Sequence, residues 1–186
     1  MRDYPYLVAS LPALALGSPA PFSPQDFLFH CQGALAAEDL AEIAAVLGGR
    51  AADGHSAAAQ EWAAVEAQVR NAAAKVRGAR LGVEAKPFLK PHRGYRVWLD
   101  KEVADALAKP NPLQAEMALD AVRWKAADDI AQQDARGLGA VVAFAAKLTL
   151  VARWAQMDDA AGRAKLDGLV EDLEKGAADS GAVSFK

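Results

Sequence analysis

The run SAAAQEWAAVEAQVRNAAAKVRGAR, residues 56–80, decides the fold. Trp62, Val65, Val69, Ala72 and Val76 recur in it at spacings of three and four, which a 3.6-residue turn gathers onto one stripe. Glu61, Glu66, Arg70 and Lys75 fall elsewhere. The pattern predicts a helix of about seven turns, long enough to bridge two lobes.

Working outward toward the N-terminus, residues 49–55 read as a mobile Gly-flanked linker. Before it, Leu40, Ile43 and Leu47 predict a helix over 36–47, with acids in its first turn and Gly48-Gly49 ending it. Ser23-Pro24 opens an earlier helix: serine caps, proline suits the first turn and Asp26 lies where it can reach back to the cap. Its inward face carries Phe27, Leu28 and Cys31, with His30 as a further candidate, and Gly33 weakens or ends it. Four prolines between residues 4 and 21 predict an extended N-terminal segment lying on the core through Tyr4, Tyr6, Leu7, Leu11 and Leu14.

Toward the C-terminus, glycines and prolines punctuate a non-helical stretch over 81–99, in which Phe88, Tyr95 and Trp98 are the large anchors. Helices are predicted over 100–109 and 112–133, separated by Pro110-Asn111-Pro112, the second facing inward with Leu113, Met117, Val122 or Ala121, Trp124 and Ile130. Residues 137–157 form the most apolar helix, with Val141, Phe144, Leu148, Val151 and Trp154 on one face. Asp158-Asp159 starts the last, where Leu166, Leu169, Val170 and Leu173 line one side and Gly176 ends it. The expectation is an all-α, elongated multi-helix bundle. It comprises one helical domain over 1–176, divisible into lobes 1–80 and 81–176, and a disordered tail over 177–186.

Composition agrees. Alanine supplies 45 of the 186 residues and has the best intrinsic helix propensity, so it supports the fold but says nothing about function. A net charge of −3 argues against a surface built as a whole to hold nucleic acid or anionic lipid. The single cysteine, Cys31, reads as a small buried hydrophobe in a reducing compartment. The apolar look of residues 7–20 is not that of an export signal: Asp3 cancels Arg2, and Pro5, Ser10 and Pro12 break the run. The apolar run 138–146 is closed by Lys147, short of the ~20 residues that span a bilayer. A cytoplasmic protein is expected.

Chemistry needs reactive groups brought together, and the local spacings that do so are missing: there is no HExxH, CxxC or GxSxG and no phosphate-cradling glycine loop. His30, His55 and His92 are scattered, and His30 and Cys31 lie about 100° apart on a helix. Asp128-Asp129, Asp158-Asp159 and Glu171-Asp172 read as solvated helix faces. Trp62, Trp124, Phe144 and Trp154 sit at core spacings. No catalytic residue, cofactor or metal site is expected.

One charge feature stands out. Residues 70–96 hold Arg70, Lys75, Arg77, Arg80, Lys86, Lys90, Arg93 and Arg96 against a single acid, Glu84, interleaved with Phe88, Tyr95 and Trp98. Three readings fit: a cationic helix end with aromatics pinning a loop, a face for an acidic protein, or a nucleic-acid surface. The candidate partner-binding residues are Arg77, Arg80, Lys86, Lys90, Arg93, Tyr95 and Arg96.

Three runs carry a resemblance. They are YPYLVASLPALALG (4–17), NPLQAEMALDAVRWKAADDI (111–130) and VVAFAAKLTLVARWAQMDDAAGRAKLDGLV (141–170). Together they cover about a third of the chain and resemble an uncharacterised bacterial family encoded in operons for V/A-type ATP synthases; residues 48–96 carry no part of it. The resemblance implies a non-catalytic structural or adaptor protein of that proton- or sodium-translocating ATPase, as a central-stalk subunit or assembly factor. Its partners would be ATPase subunits, and it would meet the inner membrane only through the complex. No functional residue is carried over, because the family has no established activity. The alternative is a nucleic-acid-binding module, or one for another anionic partner, that uses the basic stretch. An enzyme whose site is assembled from distant residues is a third reading, which a cleft holding His92 and two acids would support.

Overall fold

A computed structural model describes residues 2–157 and 159–181 of the chain. The described residues form eight α-helices and no strand. The helices are α1 (Pro5–Ser10), α2 (Pro24–Gln32), α3 (Ala37–Leu47), α4 (Ala57–Leu81), α5 (Val97–Leu107), α6 (Pro112–Gln133), α7 (Leu138–Ala155) and α8 (Asp159–Gly181). The all-α expectation therefore holds. The contacts separate residues 1–152 from residues 153–186, and each set is described by itself. The division does not fall at 80/81, because α4 packs on both α5 and α6 and one core cluster runs from Leu7 to Leu148.

The predicted helices form where caps and periodicity put them. Ser23 and Asp26 make the reciprocal capping box of α2, and Ser56 accepts the Ala59 N–H at the start of α4. The end of α4 needs two glycines. Gly82 takes a left-handed φ of +67°, and a Cβ on Gly78 would come within 2.7 Å of the Val83 carbonyl.

The N-terminal segment is not extended throughout. Pro5 is compatible with the first turn of a helix, and α1 forms from it, ending at Leu11, which Pro12 forces into extended backbone. Leu7 is buried and Tyr4, Val8, Leu11 and Leu14 pack on the core, but Tyr6 is 92% exposed. Residues 49–55 are held rather than loose. Ala51–Asp53 forms a 3₁₀ turn, and the near-buried Glu42 accepts hydrogen bonds from the His55 and Ser56 N–H groups at the start of α4.

Further corrections concern faces and ends. His30 is exposed, and Leu113 and Met117 of α6 are half exposed; the buried residues of α6 are Leu119, Asp120, Val122, Ala126, Ala127 and Ile130. α5 begins at Val97, so Trp98 is helical. α8 runs through Gly176 to Gly181, so 177–181 is helix, while 182–186 of the expected tail, and Asp158 of the expected helix start, lie outside the described residues.

α7 is the central rod. Ten of its residues are buried, and Phe144 packs against Phe27 of α2 with ring centroids 4.9 Å apart. As a whole it is long and apolar enough to cross a membrane, with a mean hydropathy of 1.5, which the nine-residue run alone did not suggest. Burial accounts for that apolarity. Cys31, on the inward face of α2, is fully buried, and desolvation pushes its thiol up to about 11.

Candidate interaction surface

The basic stretch follows the end of α4 and returns alongside it, held by two buried amides. On α4, the Asn71 side chain donates to the Lys90 carbonyl at 2.7 Å and accepts the Lys90 N–H at 2.8 Å. One turn earlier, Gln68 donates to the Arg96 carbonyl at 2.7 Å and accepts the Arg96 N–H at 3.0 Å. Each amide thus satisfies both backbone groups of one loop residue, as a neighbouring strand would. The loop owes its place to these clamps and not to its aromatics: Phe88 is 64% and Tyr95 60% exposed.

Ion pairs complete the attachment. Arg96 pairs with Glu61 of α4, and Lys75 reaches Asp100 of α5 at 3.3 Å. Asp100 also accepts from Gln68 at 3.0 Å and from the Tyr95 hydroxyl at 2.9 Å. Burial alone would push the Asp100 carboxyl up, but the hydrogen bonds from Gln68, Tyr95 and Lys75 hold it below its ordinary value of 3.8. The same bond raises the Tyr95 hydroxyl, whose proton is shared with a carboxylate. Arg80 donates to the Leu107 carbonyl at 2.6 Å, closing the end of α5.

The predicted partner-binding set therefore divides. Arg80, Tyr95 and Arg96 spend their polar groups on the fold, whereas Arg77, Lys86, Lys90 and Arg93 have exposed side chains and no ion pair among the described residues. Around them Leu81, Val83, Phe88 and Val97 are also exposed, Leu81 and Val97 by 76% each. Between α4 and the loop lies a groove of about 500 Å³, floored by Ala63, Ala64 and Ala67 and rimmed by Arg70, Lys90 and Arg93. Gln68 and Asn71 were missed in the sequence; their signal was two amides beside the apolar stripe of a long helix.

A second hollow, of about 640 Å³, has acids on its wall, and these too are engaged. Asp39 pairs with Arg2 and accepts from the Tyr4 hydroxyl, Glu61 with Arg96, and Asp134 accepts the Gly139 N–H at 2.8 Å. Burial and the bond to Asp39 both raise the Tyr4 hydroxyl. Among the described residues no three His, Cys, Asp or Glu side chains converge as a metal site would require. His92 borders the alanine-floored groove without two acids beside it.

Residues 101–177 match the profile of a protein family of unknown function, DUF2764. The match spans most of α5 through α8 and contains the resembling runs at 111–130 and 141–170, but not the run at 4–17 or the basic stretch. No curated protein and no solved structure matches the chain.

Proposed function

We propose that the chain is a non-catalytic docking protein whose basic, apolar-studded surface around residues 77–97 engages an acidic face of a larger assembly, and that this assembly is a V/A-type ATPase. The observation that carries the first part is the division of labour within the basic stretch. Gln68 and Asn71 clamp the backbone inward, while Arg77, Lys86, Lys90 and Arg93 are exposed and have no ion pair among the described residues, in a stretch that also exposes Leu81, Val83, Phe88 and Val97. Four bulky apolar side chains left in water forgo roughly 1.5–3 kcal/mol each that burial would supply, and aromatic and arginine side chains are enriched where partners dock. The second part rests on the resemblance of residues 4–17, 111–130 and 141–170. On this reading the protein acts as a stalk or assembly component on the cytoplasmic side and meets the membrane only through the complex.

The test is co-expression of the affinity-tagged chain with all subunits of the ATPase from the same genome. An ATPase subunit should be retained on the tagged chain, and the triple change Lys86→Glu, Phe88→Ala, Arg93→Glu should weaken that retention at least about tenfold. Failure to retain any subunit, with the chain folded, removes the ATPase reading. A second reading is favoured by the exposed rings of Phe88 and Tyr95, which could stack bases beside phosphate-binding cations. It requires affinity for a single-stranded oligonucleotide that falls steeply with salt.

A further inference from the structure

α4 has two faces of different character. Trp62, Val65 and Val69 are buried in the core, whereas Ala63, Ala64 and Ala67 lie on the side that the helical period turns roughly 180° from them. A surface helix ordinarily spends that side on charged and polar side chains. Here the three alanines are half-buried and floor the groove of about 500 Å³ whose wall is the loop at 90–93.

The charge around this floor has one sign. Arg70, Lys90 and Arg93 rim it with exposed side chains, and no acid lines it among the described residues. Arg70 reaches Glu66 at 3.7 Å, but its side chain is 68% exposed and Glu66 also holds Arg123 at 2.9 Å, so a carboxylate from outside can replace that weak contact.

The wall limits the kind of ligand. Both backbone polar groups of Lys90 are engaged by Asn71, and Pro91 has no N–H, so residues 90 and 91 offer an incoming strand no ladder and a phosphate no cradle of amides. A helix brings its own backbone hydrogen bonds and needs only side-chain contacts. Over a floor of alanines its axis can approach that of α4 to about 8 Å, the close end of helix packing.

We infer that the groove seats an acidic α-helix of a partner protein, with small side chains of that helix on Ala63, Ala64 and Ala67 and its carboxylates on Arg70, Lys90 and Arg93. The inference rests on the docking reading above and narrows it to one site and one partner chemistry.

The probe is a fluorescein-labelled peptide of about twenty residues built from Glu-Ala-Ala-Ala repeats, long enough to populate a helix, with a Gln-Ala-Ala-Ala peptide as control. On the full chain at low salt, fluorescence anisotropy should show saturable binding with a dissociation constant of roughly tens to hundreds of micromolar, and at least about tenfold weaker binding of the glutamine peptide. Arg93→Glu, at an exposed position, should weaken the glutamate peptide at least about tenfold. Ala67→Gln, which fills the floor without changing its charge, should do the same with the helical circular dichroism retained. Phe88→Ala, outside the lining of the groove, should leave the affinity within about twofold. No saturable binding, equal binding of the two peptides, or binding indifferent to both Arg93→Glu and Ala67→Gln would each overturn the inference. So would a single-stranded oligonucleotide that binds more tightly than the peptide and is lost with Ala67→Gln. Peptide binding by a chain that retains no ATPase subunit leaves the inference standing and removes only the ATPase reading, whereas a chain that retains a subunit but ignores the peptide does the reverse.

Discussion

Asn71 and Gln68 do for the basic loop what a sheet does for a strand, and each leaves a loop N–H and C=O without partners if removed. Asn71→Ala should cost about 2 kcal/mol of stability, because it orphans polar groups in a part-buried site. Amide hydrogen exchange should speed up at Lys90, and unchanged exchange there would show that the clamp does not hold the loop. Asp100 acts at the same scale through pH. Its folded carboxyl titrates below 3.8, so over that window the unfolded chain binds the extra proton and stability falls as pH drops through the folded value. Asp100→Asn should be less stable than the wild type at pH 7, and the gap measured by urea denaturation should narrow below pH ~4.

α4 and α6 are tied by charge as well as by packing. Arg123 of α6 donates to Glu66 of α4 at 2.9 Å and to the fully buried Asp120 at 3.2 Å. Arg123→Ala should cost on the order of 3 kcal/mol, because removing one member of a buried ionic network leaves charge behind in low dielectric. At the start of α4, a Cβ on Gly54 would run into the Glu42 carboxylate and lie 2.7 Å from the Ala59 Cβ. Gly54→Ala should therefore destabilise by roughly 1–3 kcal/mol, although alanine usually stiffens a loop favourably. Most elements were legible because caps and a 3.6-residue period are local signals: Ser23, Asp26 and Ser56 announce their helices, and Val141, Phe144, Leu148 and Val151 give the buried face of α7. The misreadings were also local. Pro5 looked like a breaker where it begins a helix, and Gly176 looked like a stop although mid-helix glycine costs only about 1 kcal/mol. Leu113 and Met117 fit the helical period yet sit near the exposed start of α6.

Taken whole, the buried side chains of the described core cluster run from Leu7 to Leu148. A chain ending at residue 157 should keep its thermal unfolding midpoint to within about 3 °C, as read by circular dichroism. A larger drop would show that α8 supports the bundle. The sequence by itself determined the helical class, most helix positions and the cationic character of residues 70–96, because propensity, capping and charge are properties of neighbouring residues. Only the tertiary structure decided which of those cations are left without an ion pair among the described residues. Whether Arg80 closes the end of α5 and Arg96 meets Glu61, while Arg77 and Arg93 face water, depends on which backbone groups and carboxylates 27 to 35 residues away are brought within hydrogen-bond reach. Sequence spacing carries no information about that distance, since it is set by how α4, α5 and the clamped loop pack.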